Sequence, residues 1–146
     1  DYDVMHIALS DDKMVWTGGF GAASVEGLTE SEQLFWSPRA ASPAEVVIHD
    51  GPVLPYTEHS SGPLATYGDW VATTVSAEVS RVVVGVNLAS GQIWSIPPRP
   101  TKHFGEVMAI DASSVLVQED DGDGMEIESL VRLDLSELDA LAGGLE

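Results

Sequence analysis

A chain of 146 residues, 44% of them hydrophobic, can form one domain with a real core. Its net charge of −18 argues against nucleic acid and anionic membranes as partners, because either would need Lys and Arg to neutralise phosphates. The absence of cysteine excludes disulfides, thiolate zinc sites and a cysteine nucleophile, and no apolar run approaches the ~18 residues that cross a bilayer.

Up to residue 136, short apolar and β-branched runs alternate with Gly, Pro, Ser and Asp clusters, which predicts an all-β chain. In chain order, strands are expected at 5–10, 13–18, 32–37, 44–49, 64–68, 70–76, 81–88, 92–96, 106–111, 114–119 and 129–135. Continuous apolar runs such as "RVVVGVNL" (81–88) predict burial on both faces of a sheet. The Pro-rich stretch "HDGPVLPYTEHSSGP" (49–63) reads as an ordered connector, stiffened by Pro52, Pro55 and Pro63. At the end, Ser136 as a cap, Asp139 three residues on and Leu138, Leu141 and Leu145 on one face predict a short helix. The first residue is Asp1, with no initiator Met or signal-like segment before it, so a processed form or a piece of a longer protein is expected.

Two stretches can be set over one another. "IALSDDKMVW" (7–16) matches "MAIDASSVLV" (108–117), apolar on apolar, with "SDDK" and "DASS" as short polar turns. "ATYGDWVA" (65–72) is a looser copy. A further strand follows each: "QLFWSP" (33–38), "VVVGVNLASGQ" (82–92) and "LVRLDLSEL" (130–138). The unit is a four-stranded up-and-down meander, with units at about 4–50, 63–97 and 105–146 of a single 1–146 module.

The phrase "VVVGVNLASGQIWSI" resembles the third strand, tight turn and fourth strand of a bacterial quinoprotein-like or NHL-like β-propeller blade. The resemblance implies about three four-stranded meander blades. Three blades do not close a ring, so another chain or a second copy is expected to complete the set. The alternative architecture is a two-sheet β-sandwich built from the same strands.

The acidic stretch "QEDDGDGMEIE" (118–128) falls between the second and third strands of the last unit, and "GGFGAASVEGLTES" (18–31) holds the corresponding place in the first. Glu119, Asp121 and Asp123 at alternate positions, then Gly124, resemble the start of a calcium loop, with Glu128 as a further ligand. Leu130 stands twelve places along, where an EF-hand needs a bidentate Glu, and a solvated acidic tip accounts for the same residues.

His6, His49, His59 and His103 show no metal-ligand spacing. Glu58, His59 and Ser60 are the right types for an acid, base and nucleophile, but sequence neighbours seldom converge as a triad. Trp16, Trp36, Trp70 and Trp94 lie on predicted strands and suit packing between sheets better than a sugar platform. Arg99, Lys102 and His103 cluster in "PPRPTKH" (97–103), read as a connector rather than an anion site.

The expectation is a non-catalytic binding or structural module of an extracellular or periplasmic assembly. Its rim loops would meet a protein partner, or it would self-associate. A calcium-dependent carbohydrate-binding module, taking a glycan, and a partial propeller of a hydrolase or lyase are the alternatives.

Overall fold

A computed structural model of the chain describes residues 2–20, 32–39, 42, 44, 47–53, 62–76, 81–120 and 129–135. They form eleven strands in three antiparallel sheets, each with its strands in sequence order. The first sheet holds β1 (Tyr2–Leu9), β2 (Lys13–Phe20), β3 (Glu32–Pro38) and β4 (His49–Val53). The second holds β5 (Ala65–Tyr67), β6 (Trp70–Ser76), β7 (Arg81–Asn87) and β8 (Ile93–Ile96). The third holds β9 (His103–Ile110), β10 (Ser114–Asp120) and β11 (Ser129–Asp134). The strands thus fall into three sheets and not the two of a sandwich. The expected helix over 136–146 lies outside the described residues.

One expected strand is displaced. The apolar run at 44–49 predicted the fourth strand, but β4 begins only at His49 and takes in the start of the Pro-rich stretch. Phe35 opposite Asp50 and Trp36 opposite His49 set the pairing, and Gln33 Nε2 donates to the Gly51 carbonyl at 3.0 Å. Pro52 is tolerated because β4 is an edge strand, where a missing N–H need not break the ladder. Val47 and Ile48, which carried the prediction, are exposed.

The three sheets stack face to face, and alternation along β7 shows how. Val82, Val84 and Val86 join Val71 and Val75 of β6 against Val15 and Leu34 of the first sheet. Val83 and Ala72 turn the other way, with Trp94 and Ile96, onto Phe104, Val107, Ile110, Val115 and Val117 of the third. The continuous valine run is therefore buried on both faces, as its composition predicts.

The first hairpin of each sheet ends in a tight turn on one rim. Ser10 N donates to Lys13 O at 2.9 Å and Asp111 N to Ser114 O at 2.9 Å, so the two stretches aligned by sequence close their turns with matching bonds. The backbone after each third strand then returns to that turn: Arg39 N donates to Asp12 O, Leu88 N to Asp69 O and Leu135 N to Ser113 O. Between β7 and β8, Asn87 Oδ1 accepts from the amides of Ala89 and Ser90, and Gly91 takes φ +74° to complete the turn.

Among the described residues no sheet packs on the outer faces of the first and third sheets, although Phe35, beside Trp16 on the first, is buried. On the first sheet, Ile7 and Leu9 lie opposite Trp16 and Met14, on the side away from Val15. On the third, Leu130 lies opposite Gln118, on the side away from Val117. Ile7 is 66% exposed, Leu9 55%, Leu130 55% and Met108 on β9 50%.

Candidate functional site

The described clefts lie near the tight turns, two of them where neighbouring sheets diverge and two on the third sheet itself. Between the first and second sheets, Leu9, Ser10, Asp11, Arg39, Thr66 and Tyr67 line a space of about 530 Å³. Thr66 Oγ1 donates to Leu9 O at 2.9 Å and ties β5 to β1 beside it. Between the second and third sheets, Tyr67, Trp70, Trp94, Asp111, Ala112 and Leu135 line a smaller cleft of about 180 Å³.

The smaller cleft is the more aromatic. Trp70 and Trp94 have ring centroids 6.2 Å apart at 38°. Trp94 is buried over Gly85, Trp70 is half-buried and Tyr67 is exposed. Asp111 Oδ1 accepts from the amides of Ser113 and Ser114, both at 2.8 Å, and from their hydroxyls at 3.3 and 3.1 Å. The Ser113 amide, with the other Ser113 and Ser114 donors, holds the Asp111 carboxyl below the usual carboxylate range. All four bonds fall on Oδ1, which leaves Oδ2 without a bond among the described residues.

Next to the larger cleft, a column of side chains straps the first sheet to the second. Lys13 Nζ reaches Asp69 at 2.6 Å and Asp12 at 3.0 Å, and lies 5.5 Å from the centroid of the Trp36 ring. Trp36 stacks on His49 with centroids 4.1 Å apart. Asp69 foremost raises the Lys13 pKa above 10.5, and the Lys13 hydrogen bond lowers that of Asp12 below 3.8. Lys13→Met is expected to cost about 1 kcal/mol, small because Asp69 and Asp12 face water. Lys13's stabilisation is complete below 10.5 and lost as pH rises through its raised value; Asp12's is complete above 3.8 and lost as pH falls through its lowered value. Thermal melts of both proteins across pH check this: their Tm difference should be flat between those limits and narrow outside them.

Neither a family model, nor a curated protein, nor a solved structure matches this chain.

Of the residues expected to bind calcium, only Glu119 is described. It sits on the inner face of β10, 2% exposed, and both carboxylate oxygens accept from Arg99, Oε2 from Nε at 3.2 Å and Oε1 from Nη2. A cation could take Glu119 only by displacing that guanidinium. Asp121, Asp123 and Glu128 lie outside the described residues, as do Glu58, His59 and Ser60. Among the described residues no three His, Asp or Glu side chains come together to hold a metal. His6, His49 and His103 stand on β1, β4 and β9.

Arg99, expected in a plain connector, is brought to Glu119 by a turn in which Lys102 N donates to Arg99 O at 3.0 Å and Thr101 takes φ +65°. A β-branched residue there is strained, so the turn is held by its surroundings. Sequence reasoning looked to the loops at 18–31 and 119–128, yet the described clefts lie at the other ends of those strands. The signal for them was "YGDW" (67–70), a glycine turn flanked by two aromatics.

Proposed function

We propose that the chain is a non-catalytic, propeller-type β module that works by binding outside the cytoplasm, and that a second copy covers its two open faces. The observation that carries this reading is the contrast between the middle sheet and the outer two. Val83 and Val84, on opposite faces of one strand, are 0% exposed because a sheet lies on each side. On the outer sheets Ile7, Leu9, Met108 and Leu130 are instead half or more exposed, while Phe35 beside Trp16 is covered. Apolar sheet surface left this open favours association.

Two features are in keeping with blades. β5 touches both β1 and β9, as inner strands of blades do around an axis, while β9 also crosses β6 and β7. In addition, all three sheets repeat the bond from the end of the third strand to the first turn. In a head-to-tail pair, the third sheet of each copy meets the first sheet of the other, so both open faces are covered at once. No helix among the described residues is long and apolar enough to cross a membrane.

Light scattering tests this. Two chains each carrying −18 repel, so salt should favour pairing. The expected result is twice the 15.5 kDa chain mass in high salt. Ile7→Glu with Leu130→Glu should give a monomer with unchanged circular dichroism. A wild-type chain that stays monomeric at every salt and protein concentration would sink the proposal.

A further inference from the structure

We infer that the cleft between the second and third sheets, walled by Tyr67, Trp70, Trp94 and Asp111, binds a small organic ammonium group. The inference stands on that cleft alone and does not depend on how the outer faces are covered. Its size sets the first limit. About 180 Å³ is below the ~300–1,000 Å³ of sites for drug-sized ligands, so it suits a headgroup or the tip of a side chain.

Its chemistry sets the second. Tyr67 and Trp70 bring accessible ring surface, the buried Trp94 lies 6.2 Å from Trp70, and Asp111 adds a carboxylate whose Oδ2 takes no bond among the described residues. Ring faces with a nearby carboxylate attract an alkylated ammonium, whose charge is spread over methyl groups that also pack against apolar walls. Ala112 and Leu135 provide those walls. An anion would meet Asp111 and the field of a chain at −18. A neutral alkyl group would gain the packing but not the electrostatic part.

The rings are also placed in advance. Trp94 is fixed by burial between the sheets and lies over Gly85, and Trp70 is tilted against it. Tyr67 and Trp70 face each other across the β5–β6 pairing, so one tight turn presents both. A ligand therefore meets a formed wedge, and little side-chain freedom is lost on binding.

The test titrates the full chain with choline and, separately, with 3,3-dimethyl-1-butanol, which has choline's shape without its charge. Tryptophan fluorescence and NMR shifts are the readouts. Choline should saturate, and the neutral analogue should bind about tenfold more weakly. Tyr67→Ala and Asp111→Asn should each weaken choline by about threefold or more, with circular dichroism showing both still folded. Asn keeps an oxygen for the Ser113 and Ser114 donors, so the turn loses the stabilisation of the charge but not the bonds themselves, and a lower Tm is expected for Asp111→Asn. A third arm uses a short peptide carrying trimethyl-lysine. Tighter binding of the peptide assigns the group to a protein tail, and equal or weaker binding assigns it to a free ammonium compound or headgroup. Equal binding of choline and its neutral analogue, no saturation with choline, or variants that bind like wild type would each overturn the inference.

Discussion

Gly85→Ala is expected to be the most damaging small substitution in the chain, lowering stability by about 3 kcal/mol, at the top of the usual range for overpacking. A Cβ at Gly85 would lie 2.1 Å from Trp94 Cζ2, 2.2 Å from Cε2 and 2.6 Å from Cη2. The added methyl meets the indole ring itself and not the end of a flexible side chain. Trp94 has little room to withdraw, since it is packed with Ala72, Val83 and Phe104 in the core between the second and third sheets. The backbone at Gly85 takes an ordinary strand conformation, so the loss comes from the collision alone. Trp94→Leu should itself cost about 3 kcal/mol through the cavity it leaves. Once the indole is gone, the methyl added by Gly85→Ala has space, so the double variant should be no less stable than Trp94→Leu alone. Urea unfolding of the four proteins measures this coupling. Additive losses would show that the cost of Gly85→Ala does not come from the Trp94 ring.

Arg99→Met is the second large effect. Glu119 is a buried carboxylate, 3% exposed at its side chain, whose ion-pair partner Arg99 is 65% exposed. Removing the arginine leaves the carboxylate buried and unpaired. Such losses reach ~3–5 kcal/mol when both partners are buried. Here water reaches the arginine side, so the loss should fall well short of that range. Glu119→Gln should cost less, because its amide oxygen still accepts from the guanidinium. The double variant Arg99→Met, Glu119→Leu should recover most of the loss, since apolar replacement of a buried pair is often close to neutral. Chemical denaturation ranks the three variants. If Arg99→Met is as stable as wild type, the pair contributes nothing and Glu119 is satisfied in another way.

Much of the fold was legible along the chain because strand signals are local. Alternating and continuous apolar runs marked ten of the eleven strands close to where they lie, and the valines at 82–86 announced a sheet buried on both sides. The fourth strand was misplaced for a physical reason. Val47 and Ile48 look like a strand, but the pairing is decided by what Trp36 and Phe35 find opposite them, and that is His49 and Asp50. The aromatic cleft was harder to see. Tyr67 and Trp70 are neighbours on one hairpin, but Trp94 and Asp111 come from a later strand and from another sheet. Glu119 shows the same difficulty in reverse. Its acidic neighbours suggested a cation, and only the turn at 99–102 reveals the arginine that reaches it.

The serial order of the sheets has a consequence for synthesis. A chain leaves the ribosome N-terminus first, and its folding units form in that order. When the second sheet emerges, the first is already available to take Val82, Val84 and Val86. Its opposite side, with Val83, Trp94 and Ile96, must wait until the segment from His103 to Asp134 has been translated. During that interval a nascent chain displays a broad sticky face. The net charge of −18 is a repulsion that opposes contact between two such faces during that interval.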